Sequence, residues 1–454
     1  MRTFLRSLAV VAVLFAAWLG VVASGWLPRP RADDLEAISA LQAARTQVAG
    51  ERNAFAMLYS FAHDVPAAQW EALAAADAAA YRANVDEPDR PLGLDTTYPA
   101  YPELPDPHPG LCAAWLPDCL PRVRAHLEET RALVAAGAGQ LARGDRLAEY
   151  DHYRYGMYLR FDSPLGIGLR HYFRYLFTAI AIDHVDGNSE AAFARLCTTT
   201  AAWRRLRANA DMLIIDMVGL AQMAGASRLY AEMLAELPAD FDAPCDDVFA
   251  PLADAEFNQC AVFAQEFEGM QNSRRDAPGA ALFAADGGRP GWLRAGLVRL
   301  LYNEPHALRL AARSLGRYCG AQHAARIAAR SAAPLPDAPG CSALDRLFDP
   351  YGCWLADRET IAWDDYYLRV LDLDARLRLL GLARRLRASA DPAAAFEARP
   401  AALDSPTHAF EHDAATGVVR MRPLNRQRGA HWAFRYRSGE RDATAAVAQL
   451  PATP

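Results

Sequence analysis

A chain of 454 residues that is 52% hydrophobic holds enough apolar material for one large core or two modest ones. Its formal net charge of −6 includes no concentrated basic arm, which argues against a nucleic-acid partner. All 48 Lys-or-Arg positions are arginine, so Schiff-base catalysis, pyridoxal-lysine chemistry and a Walker A phosphate loop are excluded.

The chain opens with Arg2 and Arg6, then an uncharged apolar run from Leu8 to Leu27, then Pro28-Arg29-Pro30-Arg31. About 20 apolar residues rising ~1.5 Å each cross a ~30 Å hydrocarbon core, so residues 1–31 read as a membrane anchor inserted through residues 8–27. A cleaved signal is the alternative, because Val22-Ala23-Ser24 offers small residues to a peptidase. Against it, the apolar run is longer than a signal needs, and Trp26 suits the bilayer interface. Arginines flank both ends, so charge leaves the orientation nearly tied.

Cysteine usage breaks the tie. Cys112, Cys119, Cys197, Cys245, Cys260, Cys319, Cys341 and Cys353 all follow the apolar run, in even number, with no C-x-x-C and no zinc-ligand spacing. They read as disulfides, which persist in oxidising compartments. The bulk of the chain is therefore expected outside the cytoplasm, anchored in the inner (cytoplasmic) membrane, or free in the periplasm if the segment is cleaved.

Residues 32–121 are expected to hold helices and a proline-rich loop packed on the main body. Leu35, Ile38, Leu41 and Val48 predict a helix over Ala32 to His63, and Pro66 opens a second one reaching about Arg82. Nine prolines between Asn84 and Pro121 forbid a continuous helix there. Such a loop needs fastening, and Cys112 and Cys119 are close enough in sequence for their Cα atoms to approach the ~5.5 Å of a disulfide.

Residues 122–390 read as an α-helical domain. Ser163-Pro164 predicts a helix start and Gly187 its left-handed end. Further helices are expected over Ser189 to Arg207, over Asp211 to Leu237 as the central core helix, and over about Asp246 to Gly269. The last would put Cys245 and Cys260 too far apart to bond. Gln271 to Gly291 reads as a surface loop, followed by two or three helices between Trp292 and Arg387 with a loop at Pro334 to Tyr351. Arg309, Arg313 and Arg317 recur every four residues, a spacing that predicts a solvated basic face, with contact to anionic headgroups or a polyanion as the alternative.

Residues 391–454 change period. Thr407 to Asp413, Val418 to Arg422 and His431 to Arg437 are short, rich in aromatic and β-branched residues, and the first two flank a turn at Ala414-Ala415-Thr416-Gly417. The fold class expected is mainly α: an N-terminal transmembrane helix, a multi-helix extracytoplasmic body and a small C-terminal β-hairpin or meander.

No G-x-S-x-G, H-E-x-x-H, G-x-G-x-x-G or EF-hand loop occurs, so no catalytic residue, metal or cofactor is assigned. The densest polar cluster, Tyr150 to Tyr175, supplies His152, Tyr155, Arg170, His171 and Arg174 as candidate ligand-binding residues. Arg170 and Arg174 stand one helical turn apart, able to clamp a carboxylate or phosphate. The competing reading is that these tyrosines and arginines cement helix packing. Asp216 is the other candidate, the single charge on an apolar helix. Without a second carboxylate, histidine or nucleophile at helical spacing, it is expected to be structural, neutralised by an arginine or hydrogen-bonded in the core. The function expected is a binding or envelope-scaffold component whose partner is an envelope protein or a small molecule. The alternative is a carboxylate-dependent α-helical periplasmic hydrolase.

Overall fold

The computed structural model describes residues 9–14, 16–18, 20, 21, 28–45, 48, 50–85, 96–104, 108–113, 116–160, 163, 164, 169, 172–276, 301–338, 340–424 and 432–436. The protein is mainly helical with a three-stranded antiparallel sheet near its C-terminus. The helices are α1 Ala32–Ala44, α2 Phe55–Tyr59, α3 Trp70–Ala83, α4 Cys119–Ala125, α5 Leu127–Ala136, α6 Ala138–Asp145, α7 Tyr172–Val185, α8 Ser189–Ala208 and α9 Leu213–Glu236. After them come α10 Cys260–Asp276, α11 Glu304–Gly316, α12 Ala321–Ala328, α13 Ala343–Phe348, α14 Pro350–Arg387 and α15 Pro392–Glu397.

The anchor expected at residues 8–27 lies partly outside the described residues. Residues 9–14, 16–18, 20 and 21 are helical, and among the described residues no helix is long and apolar enough to cross a membrane.

The main core runs from Ala54 to Tyr436 in sequence and centres on α7, α8, α9 and α14, where Trp203, Tyr230, Tyr367 and Leu377 are fully buried. A second cluster joins α1, α10 and α11 through Leu41, Phe263, Phe267 and Leu315. Gly187, at φ +88, ends the α7 region in the left-handed conformation expected for it and lets the chain turn directly into α8. The strands β1 Phe410–Asp413, β2 Val418–Met421 and β3 Trp432–Arg435 pair in order, with Gly417 at φ +64 in the first turn. Phe434 and Tyr436 are buried on one face of β3. Trp432 joins them there, its ring 4.6 Å from the buried guanidinium of Arg376 on α14.

Five sequence expectations are corrected. The helix over Ala32 to His63 is two helices, because the chain between them pairs with the segment at His152: Asn53 bridges His152 and Ala54 N donates to His152 O at 2.9 Å. Gly50 is required there, since a Cβ would stand 2.6 Å from His152 Nδ1. The helix starting at Ser163-Pro164 begins instead at Tyr172; the Ser163 hydroxyl is engaged by Tyr158 O and Arg160 N. The helix expected over Asp246 to Gly269 is irregular up to Gln259 apart from a 3₁₀ turn at Asp254–Phe257, and α10 then runs to Asp276. The carbonyls of Val248, Ala250 and Pro251 converge on Arg204, so they are unavailable to a helical ladder.

The fourth correction concerns Pro334 to Tyr351, which contains a helix, α13. Ser342 Oγ accepts from Asp345 N while the Asp345 carboxylate accepts from Ser342 N, a capping box legible in the sequence as Ser-x-x-Asp. Asp349 then caps α14, which runs unbroken for 38 residues. The expected surface loop at Gln271 to Gly291 is helical to Asp276, and 277–291 lie outside the described residues.

All eight cysteines are paired: Cys112 with Cys119, Cys197 with Cys245, Cys260 with Cys319, and Cys341 with Cys353. The Cys112–Cys119 bond is the one expected, with Cα atoms 5.1 Å apart, although Cys119 itself opens a helix. Cys245 and Cys260 do not pair with each other, as expected, but the reason differs from the single helix assumed.

Candidate functional site

A polar cleft of about 150 Å³ opens where the C-terminus of α8, the first turn of α9, the 3₁₀ turn and the start of α10 meet; Arg207, Asn209, Asp216, Glu256, Asn258 and Gln259 supply its polar lining. Gly219 makes the packing possible: a Cβ there would lie 2.6 Å from Arg207 Cβ, so only glycine lets the arginine stem lie flat on α9. Arg207 and Asp216 are both nearly inaccessible, at 3% and 2% exposure.

Asp216 is held on both oxygens. Arg207 Nε donates to Oδ1 at 2.8 Å and Gln259 Nε2 donates to Oδ2 at 2.6 Å. A second pair closes the rim, where Arg204 grips Glu256 with Nε and Nη2, each at 2.7 Å. Burial pulls the Glu256 carboxyl upward, but the Arg204 hydrogen bonds and the Ala253 amide outweigh it and hold the group below its usual range. Two cations and two carboxylates thus neutralise one another around the cleft.

Two polar atoms remain. Arg207 Nη1 and Gln259 Oε1 are buried with no hydrogen-bond partner, one a donor and the other an acceptor. They belong to the two side chains that flank the Asp216 carboxylate. A buried unsatisfied polar group costs about 1–3 kcal/mol, and both atoms belong to side chains that line the cleft.

Of the other candidates among the described residues, none lines this cleft. His152 is buried beneath Gly50 in the pairing with Asn53. Tyr155 packs edge-on against Phe55 and donates its hydroxyl to Pro164 O at 2.9 Å. Arg174 is buried on α7. Arg170 and His171 lie outside the described residues. The structure does connect the Tyr150 region to the cleft through backbone: Tyr153 bridges Ala210, next to Asn209 of the lining.

The Arg309, Arg313 and Arg317 row is not a free solvated face. Arg313 is buried and paired with Asp34 of α1, and Arg309 reaches Asp34 at 3.7 Å and donates to Pro28 O. The sequence signal that was missed is Asp34 itself, an acid in the first turn of a helix that packs on the arginine-bearing α11.

Glu256 and Glu266, expected on one helix, are separated between the 3₁₀ turn and α10. Among the described residues one group of metal-ligand type comes together, His306, Cys341 and Asp345, but Cys341 is committed to its disulfide. A second cavity of about 50 Å³, between Met217, Leu220, Arg369, Asp372 and Trp432, is mostly apolar; its Asp372 is engaged by His408 at 2.8 Å and Leu424 N at 2.7 Å.

Asp211, just before α9, gives a pH-dependent prediction. Burial pushes its carboxyl up to about 7, against the lowering effect of the Tyr155 amide that it accepts. A raised folded pKa favours the fold below the unfolded value near 4 and loses that contribution as pH rises toward 7. Asp211→Asn removes the titration, so its stability relative to the parent should improve by on the order of 3 kcal/mol between pH 5 and pH 8. Thermal melts of both proteins across that range check it; a stability difference that stays constant with pH would show that Asp211 ionises normally.

No family model matches the chain, nor does any curated protein or solved structure match it significantly.

Proposed function

We propose that this is an extracytoplasmic binding protein, tethered to the inner membrane by residues 8–27, that takes a small neutral polar molecule into the cleft at Asp216. The observation that carries this reading is that two side chains lining a cleft whose charges already cancel each keep an unsatisfied polar atom, the donor Arg207 Nη1 and the acceptor Gln259 Oε1. An added charge there would lack a counter-ion, whereas an amide group presents an acceptor and a donor on adjacent atoms. The four disulfides support an oxidising compartment.

The hydrolase alternative has weaker support. General acid–base work needs a carboxylate free to exchange a proton, and both cleft carboxylates are locked to guanidinium groups. The test is a thermal-shift comparison of the full chain with acetamide, glycinamide and acetate. Stabilisation by an amide and not by acetate, lost in Gln259→Leu, is the expected result. Stabilisation by acetate alone, or by an amide equally in Gln259→Leu, would end the assignment of this cleft to neutral amide-type ligands.

A further inference from the structure

The exposed apolar side chains of this protein are not scattered. Among the described residues, the large hydrophobics that stand well out in solvent are Val10, Val11, Val13, Leu14, Leu35, Ile214, Leu344, Leu347 and Trp354. The first four belong to the N-terminal apolar run. Of the remaining five, Leu35 follows Asp34 on α1, Leu344 and Leu347 lie on α13 either side of the Asp345 that Arg31 holds, Trp354 follows on α14, and Ile214 lies on α9.

The junction is built from charged contacts. Arg31 Nη2 donates to Asp345 of α13 at 2.6 Å, Arg31 N donates to Asp34 at 2.7 Å, and Arg309 of α11 holds the Pro28 carbonyl. Leu344 adjoins Asp345 on one side of this clamp, and Leu35 adjoins Asp34 on the other. Leu344 and Leu347 stand three apart on α13, so both project from one face, each 53% exposed while Asp345 and Phe348 turn inward. Trp354, 44% exposed, follows on the first turns of α14, with the Tyr351 ring tilted against it at 5.3 Å. The Arg346–Asp357 ion pair ties these two helices together across the patch.

We infer that this face rests on the bilayer, with Leu344, Leu347 and Trp354 entering the headgroup and upper acyl region beside the anchor. This rests on the anchored reading above and goes beyond it, because a tether alone would leave the body free to swing. The occupant is lipid for three reasons. The patch adjoins the apolar run that would enter the membrane, Trp and Leu are the side chains that settle at that depth, and the half-exposed Arg31 and Arg346 at its edge suit anionic headgroups. The contact would also fix the body's orientation. α14 starts at this face and is about 57 Å long at 1.5 Å per residue, so α15, beyond its far end, lies far from the patch.

The experiment uses the full chain returned to vesicles of phosphatidylethanolamine and phosphatidylglycerol, with a photoreactive residue at one exposed site at a time: Val11→p-benzoylphenylalanine, Leu347→p-benzoylphenylalanine or Glu397→p-benzoylphenylalanine. Lipid adducts at positions 11 and 347, and none at 397 on α15, are expected. Adducts at position 11 alone overturn the seated body and leave the anchor standing. Adducts at 347 without any at 11 support the lipid-facing patch and remove the anchor. Crosslinks from 347 to a second copy of the chain overturn the proposal in favour of a self-association face.

Discussion

Arg207→Met is expected to lower the stability of the fold by about 3–5 kcal/mol, because it leaves the Asp216 carboxylate buried with Gln259 as its remaining side-chain donor. Asp216→Asn should cost a similar amount for the opposite reason, stranding a guanidinium that is 3% exposed. Removing both charges together, as Arg207→Met with Asp216→Leu, should recover most of that loss, since an apolar pair carries no desolvation penalty. Urea unfolding of the four proteins measures this directly. Ligand binding should fail in all three variants, stability in only the two single ones. A single variant that unfolds at the parent's urea midpoint would mean that the pair is not buried as described.

Breaking the Cys197–Cys245 bond should cost about 4 kcal/mol, against about 2 for Cys112–Cys119, because the chain-entropy contribution grows with the length closed, here 48 and 7 residues. The longer bond fastens α8 to the segment that follows α9, and so braces the helix pair whose near ends form the cleft. Cys245 sits at φ +70, so the informative variant is Cys197→Ala with Cys245→Asn, asparagine being tolerant of that conformation. Calorimetric melts of this variant and of Cys112→Ala with Cys119→Ala, both with the other disulfides intact, give the comparison. Equal losses would refute the loop-length account and point to native-state packing around the sulfurs as the dominant contribution.

Several elements were readable because their signals are local. The helix at Ser189–Ala208, the long apolar helix around Asp216, the turn at Gly417 and the short strands on either side of it are all encoded within a few residues of themselves. The Cys112–Cys119 bond belongs with them, being a short-range pairing in a stretch where proline rules out regular structure. The pairing of Asp216 with an arginine followed from a general cost, that a carboxylate does not stay buried alone.

Much of what the sequence could not decide depended on arginines reaching distant partners. Arg204 gathers three carbonyls from residues 248–251 and dissolves the helix their neighbourhood suggests. Arg313 turns an apparent surface stripe into a buried bond with Asp34, 279 residues away. Arg143 disappears beneath Trp70 to bond the carbonyls of His63 and Met57, and burial lowers it to about 10. In a chain without lysine, the planar guanidinium fork does this work, binding several oxygens at fixed angles. Which arginine meets which oxygen is set by how the helices pack, and packing is long-range. The amino-acid text thus determined the helical character, the disulfide chemistry and the apolar run at the N-terminus. Only the tertiary structure decided that Arg207 and Gln259 meet at Asp216, each with one atom left over, because they come from three segments that nothing in local periodicity brings together.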